Sequence, residues 1–152
     1  MADPLSPIID AVVSDALALG VFESVNGHEA ASAPGSGVTA DVWVGTIQAL
    51  GVASGLSEVS VLLLLNMRVY KAWNAADRDT IDPALLAAVG QMFATFAGGF
   101  TLGGLIRNVD VMGAHGTPLA APFGYVTIDS IQYRCATLAV PCVVNDLWTE
   151  AA

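Results

Sequence analysis

Residues 59–73, VSVLLLLNMRVYKAW, read as one long β-strand whose two faces are both too apolar for a strand with one side in water. Successive side chains on a strand point to opposite faces. Val59, Val61, Leu63, Leu65, Met67, Val69 and Trp73 therefore share one face, the side expected to meet a core. Ser60, Leu62, Leu64, Asn66, Arg68 and Tyr70 share the other, polar enough at one end to lie near water and apolar enough at the other to need cover.

The same demand for cover extends to the whole chain. Of 152 residues, 55% are hydrophobic and only 12% charged, against roughly 25% charged in an ordinary soluble domain. Residues 1–152 fit a single domain, and one of that size buries about 68–70% of its unfolded surface. The apolar surface left over points to a membrane or a protein partner. Asn66 and Arg68 stop the apolar run at 61–65, and no other stretch offers the roughly 18–20 uninterrupted apolar residues of a spanning helix. A protein partner is expected, and no membrane. Residues 1–10 carry no basic segment ahead of an apolar core, so neither a secretory signal nor a transit peptide is expected.

The net charge is −9, with Arg68, Lys71, Arg78, Arg107 and Arg134 as the positive side chains. Holding nucleic acid by its phosphates takes clustered Lys and Arg, which this chain lacks. Acidity of this kind keeps an apolar protein soluble, and it also lets a polyanion pass without sticking. Cys135 and Cys142 lie an odd number of positions apart, which on a regular strand points them to opposite faces. Buried free thiols are expected rather than a disulfide.

Along the chain, Asp3-Pro4 or Ser6-Pro7 starts a helix in which Ile8, Ile9, Val12, Val13, Ala16 and Leu17 recur at helical spacing and which Gly20 ends. Residues 21–25 are strand-like, and 26–37 form a loop rich in turn formers. A second strand at 41–50 precedes the long one, and the chain turns at 74–80. Asp82-Pro83 repeats the cap-and-proline signal. Leu85, Leu86, Val89, Met92, Phe93 and Phe96 then mark an amphipathic helix that stops at Gly98-Gly99. Strands are expected at 104–112, 123–128 and 131–144, the last two forming a hairpin at Asp129-Ser130. Pro141 places the final strand at an edge or bulge, since proline cannot donate to a ladder. This order specifies an α+β domain with one mainly antiparallel sheet and two helices on a face.

Chemistry is sparsely represented. His28-Glu29 could act as a base pair or half a metal site, but no second His or Cys follows at ligand spacing. His115 has Asp110 nearby without an activated nucleophile. A small cytosolic metal-dependent hydrolase built on His28, Glu29, His115 and Asp110 is the alternative of a different class. Gly98-Gly99 and Gly103-Gly104 follow a helix instead of leading into one, so they lack the mechanics of a phosphate loop. No catalytic, cofactor-binding or metal residue is assigned.

The helix-first layout resembles tail terminator proteins of long-tailed bacteriophages, in the form found in phages of actinobacteria. So do the segments FESVNGHEAASAPGSGVTADVWV, FTLGGLIRNVDVMGAHGTPL and YRCATLAVPCVVNDLW. The resemblance covers nearly the whole chain and rests on texture and element order. It implies a virion subunit, made in the host cytoplasm, that forms a ring of typically six copies at the head-proximal end of the tail tube. There it stops addition of tube subunits and offers a surface to head-closure or other neck proteins. DNA would pass through the lumen without specific binding. Another neck component, a head-closure or adaptor protein, is the nearest alternative. A closed ring needs a heterologous interface, for which Leu62, Leu64, Arg68, Arg107 and Arg134 are the candidates. The loops at 28–37 and 113–122, with His28, Glu29, Pro34, His115 and Pro118, are the candidate contacts with tube or neck proteins.

Overall fold

The computed structural model describes residues 5–30, 37–50, 58–74, 78–99 and 101–149. Helices α1 (Ser6–Ala18) and α2 (Ile81–Gly98) accompany strands β1 (Ser24–Asn26), β2 (Thr39–Ala49), β3 (Glu58–Ala72), β4 (Asn108–Val109), β5 (Phe123–Ile128) and β6 (Ile131–Thr149). The sheet order is β1-β2-β3-β6-β4, with β5 also paired to β6. All pairs are antiparallel except β1 with β2. The architecture is the α+β fold with a mainly antiparallel, curled sheet that the element order implies.

Both helices contribute to one core against one face of the sheet. Val61, Leu63, Leu65, Met67 and Val69 of β3 are buried there, with Val59 and Trp73 packed at the margin. Ile8, Val12 and Ala16 come from α1, and Ile81, Leu85, Ala88, Val89, Met92 and Phe96 from α2. Two leucines at helical spacing are left outside: Leu17 is 52% exposed and Leu86 63%. Within the segment 78–98 an 18-residue window has a mean hydropathy of 1.3, and the segment passes for a membrane span by length and composition. Its buried face nevertheless lies on the sheet, as that of a core helix does.

Several element boundaries differ from those expected. Ser6 already lies inside α1, and α2 begins one residue before Asp82. Asp82 is therefore not a cap; its carboxylate meets Arg134. The strand expected at 21–25 shrinks to β1, and the one expected at 104–112 to β4, because residues 101–107 turn and place Leu102, Gly103 and Gly104 at positive φ. The β5–β6 hairpin turns at Asp129 and Ser130, both at positive φ (49° and 64°), which matches the right-handed twist of the flanking strands.

Pro141 does not mark an edge. β6 pairs with β3 along its length, Leu64 lying opposite Pro141. The Pro141 carbonyl accepts the Asp110 N–H at 2.8 Å, so its backbone faces β4 and away from β3. N–H and C=O of one strand residue point the same way. Proline therefore removes no bond to β3, which is why a central strand tolerates it.

Candidate functional site

The face of the sheet away from the helices holds Leu62, Leu64 and Arg68 among the side chains singled out from the sequence. At one end Tyr70 and Tyr133 meet edge to face with ring centres 5.4 Å apart, both fully buried with Cys135 and Ala72. The Tyr70 hydroxyl donates to Asp41 Oδ2 at 2.6 Å, and the Asn26 amide donates to Asp41 Oδ1 at 2.9 Å. Asp41 is wholly buried, so these donors replace the water that its carboxylate has lost. The polar end of this face is thus closed over. Burial first, and then the bond to Asp41, push the Tyr70 phenol well above its ordinary value.

Tyr70→Phe removes one donor from a buried carboxylate and is expected to lower the unfolding free energy by about 1.5–3 kcal/mol, read by urea denaturation. The pH dependence has a definite sign. A phenol whose folded pKa is raised contributes fully below the unfolded value of about 10 and progressively less as pH rises beyond it. The wild type should lose stability above that pH more steeply than Tyr70→Phe does.

Arg68 lies beside this cluster. Its guanidinium stacks over Trp43 at 4.9 Å and reaches the Glu29 carboxylate at 3.6 Å. Its Nε–H is buried with no hydrogen-bond partner among the described residues. An open cavity of about 280 Å³ adjoins it, lined also by Gly124, Val126, Cys135 and Thr137. Arg134 projects to the helix side, bonded to Asp82 at 2.9 Å and stacked over Tyr125 at 4.8 Å. Both arginines are thus engaged within one chain, whereas the Arg107 side chain is exposed.

Leu62 and Leu64 part company. Leu62 is 4% exposed and packs with Leu50 and Val143, so its own chain covers it, although neither helix does. Leu64 is half-buried. His28 and Glu29 are exposed at the end of β1, and Pro34 lies outside the described residues.

Asp110 is buried, and its two carboxylate oxygens accept the backbone N–H groups of Ala114 and His115, each at 2.8 Å. It is a clamp for the turn that follows it, not a base aimed at the His115 imidazole. Gly113 completes the turn at φ +76°, where a Cβ would come within 2.8 Å of the Pro118 nitrogen. Among the described residues no three His, Cys, Asp or Glu side chains come together to hold a metal. Cys142 is free on the helix side and Cys135 free on the opposite side; burial raises both thiols, Cys142 to about 12.

Toward the other end of the sheet, the strands run uncharged until Glu58 of β3 and Asp146 of β6. Residues 42–57, 59–67 and 135–145 contain no Asp, Glu, Lys or Arg, so the neighbouring halves of β2, β3 and β6 form an uncharged slab. Residues 44–49 of β2 are exposed there, including Val44 at 45% and Ile47 at 43%. The β2 backbone bulges between Val44 and Thr46; a Cβ on Gly45 would lie 2.8 Å from the Asn66 amide and 3.2 Å from the Leu64 carbonyl. The uncharged run is visible in the sequence, but its exposure is not. No family model matches the chain, and no curated protein matches it.

Proposed function

We propose that the chain is a structural subunit of a phage virion, a tail terminator that forms a ring on the head-proximal end of the tail tube. In that place it stops tube growth and presents a surface to the neck proteins. The observation that supports this best is the division of charge: an acidic chain at −9 carries an uncharged slab across its sheet, short of Glu58 and Asp146, with apolar side chains exposed on its β2 edge. Like-charged copies repel, and they meet most readily through surface that carries no charge. The carboxylates of Asp41 and Asp110 and the guanidinium of Arg134 are committed to internal bonds, which suits a structural subunit better than a hydrolase.

Within a ring, exposed Arg107 is free to pair with a neighbour's carboxylate, and half-buried Leu64 adds apolar contact. The exposed loop residues His28, Glu29 and Pro118 would face tube or neck proteins. Six copies at −9 each carry −54, and carboxylates facing the lumen would keep passing DNA from sticking.

Electron microscopy of the purified protein mixed with its tube protein tests this directly. Tubes of limited length with a ring at one end are expected. Tubes that lengthen unchecked, with no density at their ends, would rule the terminator out. Binding to head-side components alone would make the chain a head-closure or adaptor protein instead.

A further inference from the structure

We infer that the outer edge of β2, over residues 42–49, is where a second copy of this chain adds a strand, joining the two sheets through main-chain hydrogen bonds. β1 covers this edge only at Thr39, Ala40 and Asp41. Beyond Asp41 no strand lies on it among the described residues.

The direction of the free groups follows from one bond. The Leu50 N–H donates to the Ser60 carbonyl at 2.9 Å, so Leu50 turns its backbone toward β3. Backbone direction alternates along a strand. Gln48 and Thr46 therefore also face β3, while Ala49 and Ile47 point their N–H and C=O groups away from the sheet. A row of such groups is a template for another strand unless charge, proline or cover blunts it. Residues 42–49 include no charged residue and no proline. The bulge at Gly45 bends the edge, but regular pairing resumes from Thr46↔Leu64 to Ala49↔Val61.

The occupant is argued from charge and from the opposite side of the same sheet. A strand from another −9 copy, including a β6 end that carries the single Asp146, meets no like charge along 42–50. β6 continues past its last pair with β4, at Cys142 and Val143, to Thr149, and among the described residues no strand lies on its outer side there. One copy thus has two open edges at one end of its sheet, on opposite sides, which is what a head-to-tail ring requires. β2 and β6 both run antiparallel to β3, hence parallel to each other. The end of β6 would add to β2 as a parallel strand, continuing on the edge where β1 already pairs in parallel.

This deepens the ring proposed above and rests on it for the existence of an assembly. Its test is amide hydrogen exchange at Ile47 and Ala49 in dilute and assembled protein, together with two variants. Assembly should slow exchange at both amides by at least about tenfold. Ile47→Pro removes an outward N–H without touching a bond to β3, and Ile47→Lys keeps the N–H but charges the edge. Both variants should remain folded by circular dichroism and sediment as monomers where the wild type assembles. Should proline unfold the chain, Ile47→Lys and the exchange measurement decide.

An assembled ring whose Ile47 and Ala49 amides exchange as in the monomer overturns the inference and leaves the terminator function standing. A protected edge in rings that fail to cap tubes does the reverse. Protection that appears only with tube protein, while the copies stay separate, makes tube protein the occupant and overturns it. So does a wild type that remains monomeric at every concentration and on tubes.

Discussion

Phe96→Ala is expected to lower the unfolding free energy by about 3–5 kcal/mol, a large part of the roughly 5–15 kcal/mol that holds an ordinary domain folded. Phe96 sits in the last turn of α2 with no exposed surface, in the same apolar cluster as Met92, Leu102 and Val140. Removing its ring takes away buried apolar contact and leaves a hole that a close-packed interior fills only in part. Urea denaturation measures the loss. A second probe is the Cys142 thiol, which burial in this core keeps protonated and inaccessible. Its alkylation should be negligible in the wild type and much faster in Phe96→Ala. The control is Leu86→Ala on the exposed side of the same helix, where the change should stay within about 0.5 kcal/mol. Equal effects at the two positions would mean that α2 does not pack on the sheet through this face.

Asp110→Ala is expected to destabilise by about 2–4 kcal/mol, because the two backbone N–H groups that share its carboxylate would lose their acceptor at once. The damage should be local first. Exchange at Ala114 and His115 should accelerate, with protease cleavage in the turn around Gly113, before the sheet opens. A variant with unchanged stability and unchanged exchange at those amides would refute the clamp. One that stays folded while losing a metal-dependent hydrolysis would favour the enzyme reading of the same residue.

The fold was legible wherever one face of an element is buried over several residues. Alternation in β3 identifies its core face residue by residue, and the spacing of Leu85, Val89, Met92 and Phe96 does so for α2. The Asp129-Ser130 hairpin follows from a short polar turn between two apolar runs. Short elements were not legible in the same way. Residues 104–112 have strand-like composition, yet only Asn108 and Val109 find a partner, since pairing depends on what β6 offers beside them. Pro141 looks incompatible with a central strand until its backbone direction is known.

Of the candidate site residues, the sequence marks the scarce charges but not their partners. Arg134 meets Asp82 from 52 positions away, and Tyr70 meets Asp41 from 29. Nothing local in the chain encodes either encounter. Leu62 and Leu64 share one face of one strand, yet Leu50 and Val143 cover the first and leave the second half-buried.

By itself, the sequence determined the α+β class, the core face of the longest strand, and an excess of apolar over charged side chains. These follow from periodicity and composition, which are properties of the chain before it folds. The tertiary structure alone decided which polar groups are tied up inside and which strand edge stays open. Both depend on contacts between residues far apart in sequence: Asp41 is tied up because Tyr70 reaches it from 29 positions away, and among the described residues no strand continues along β2 where β1 stops after Asn26.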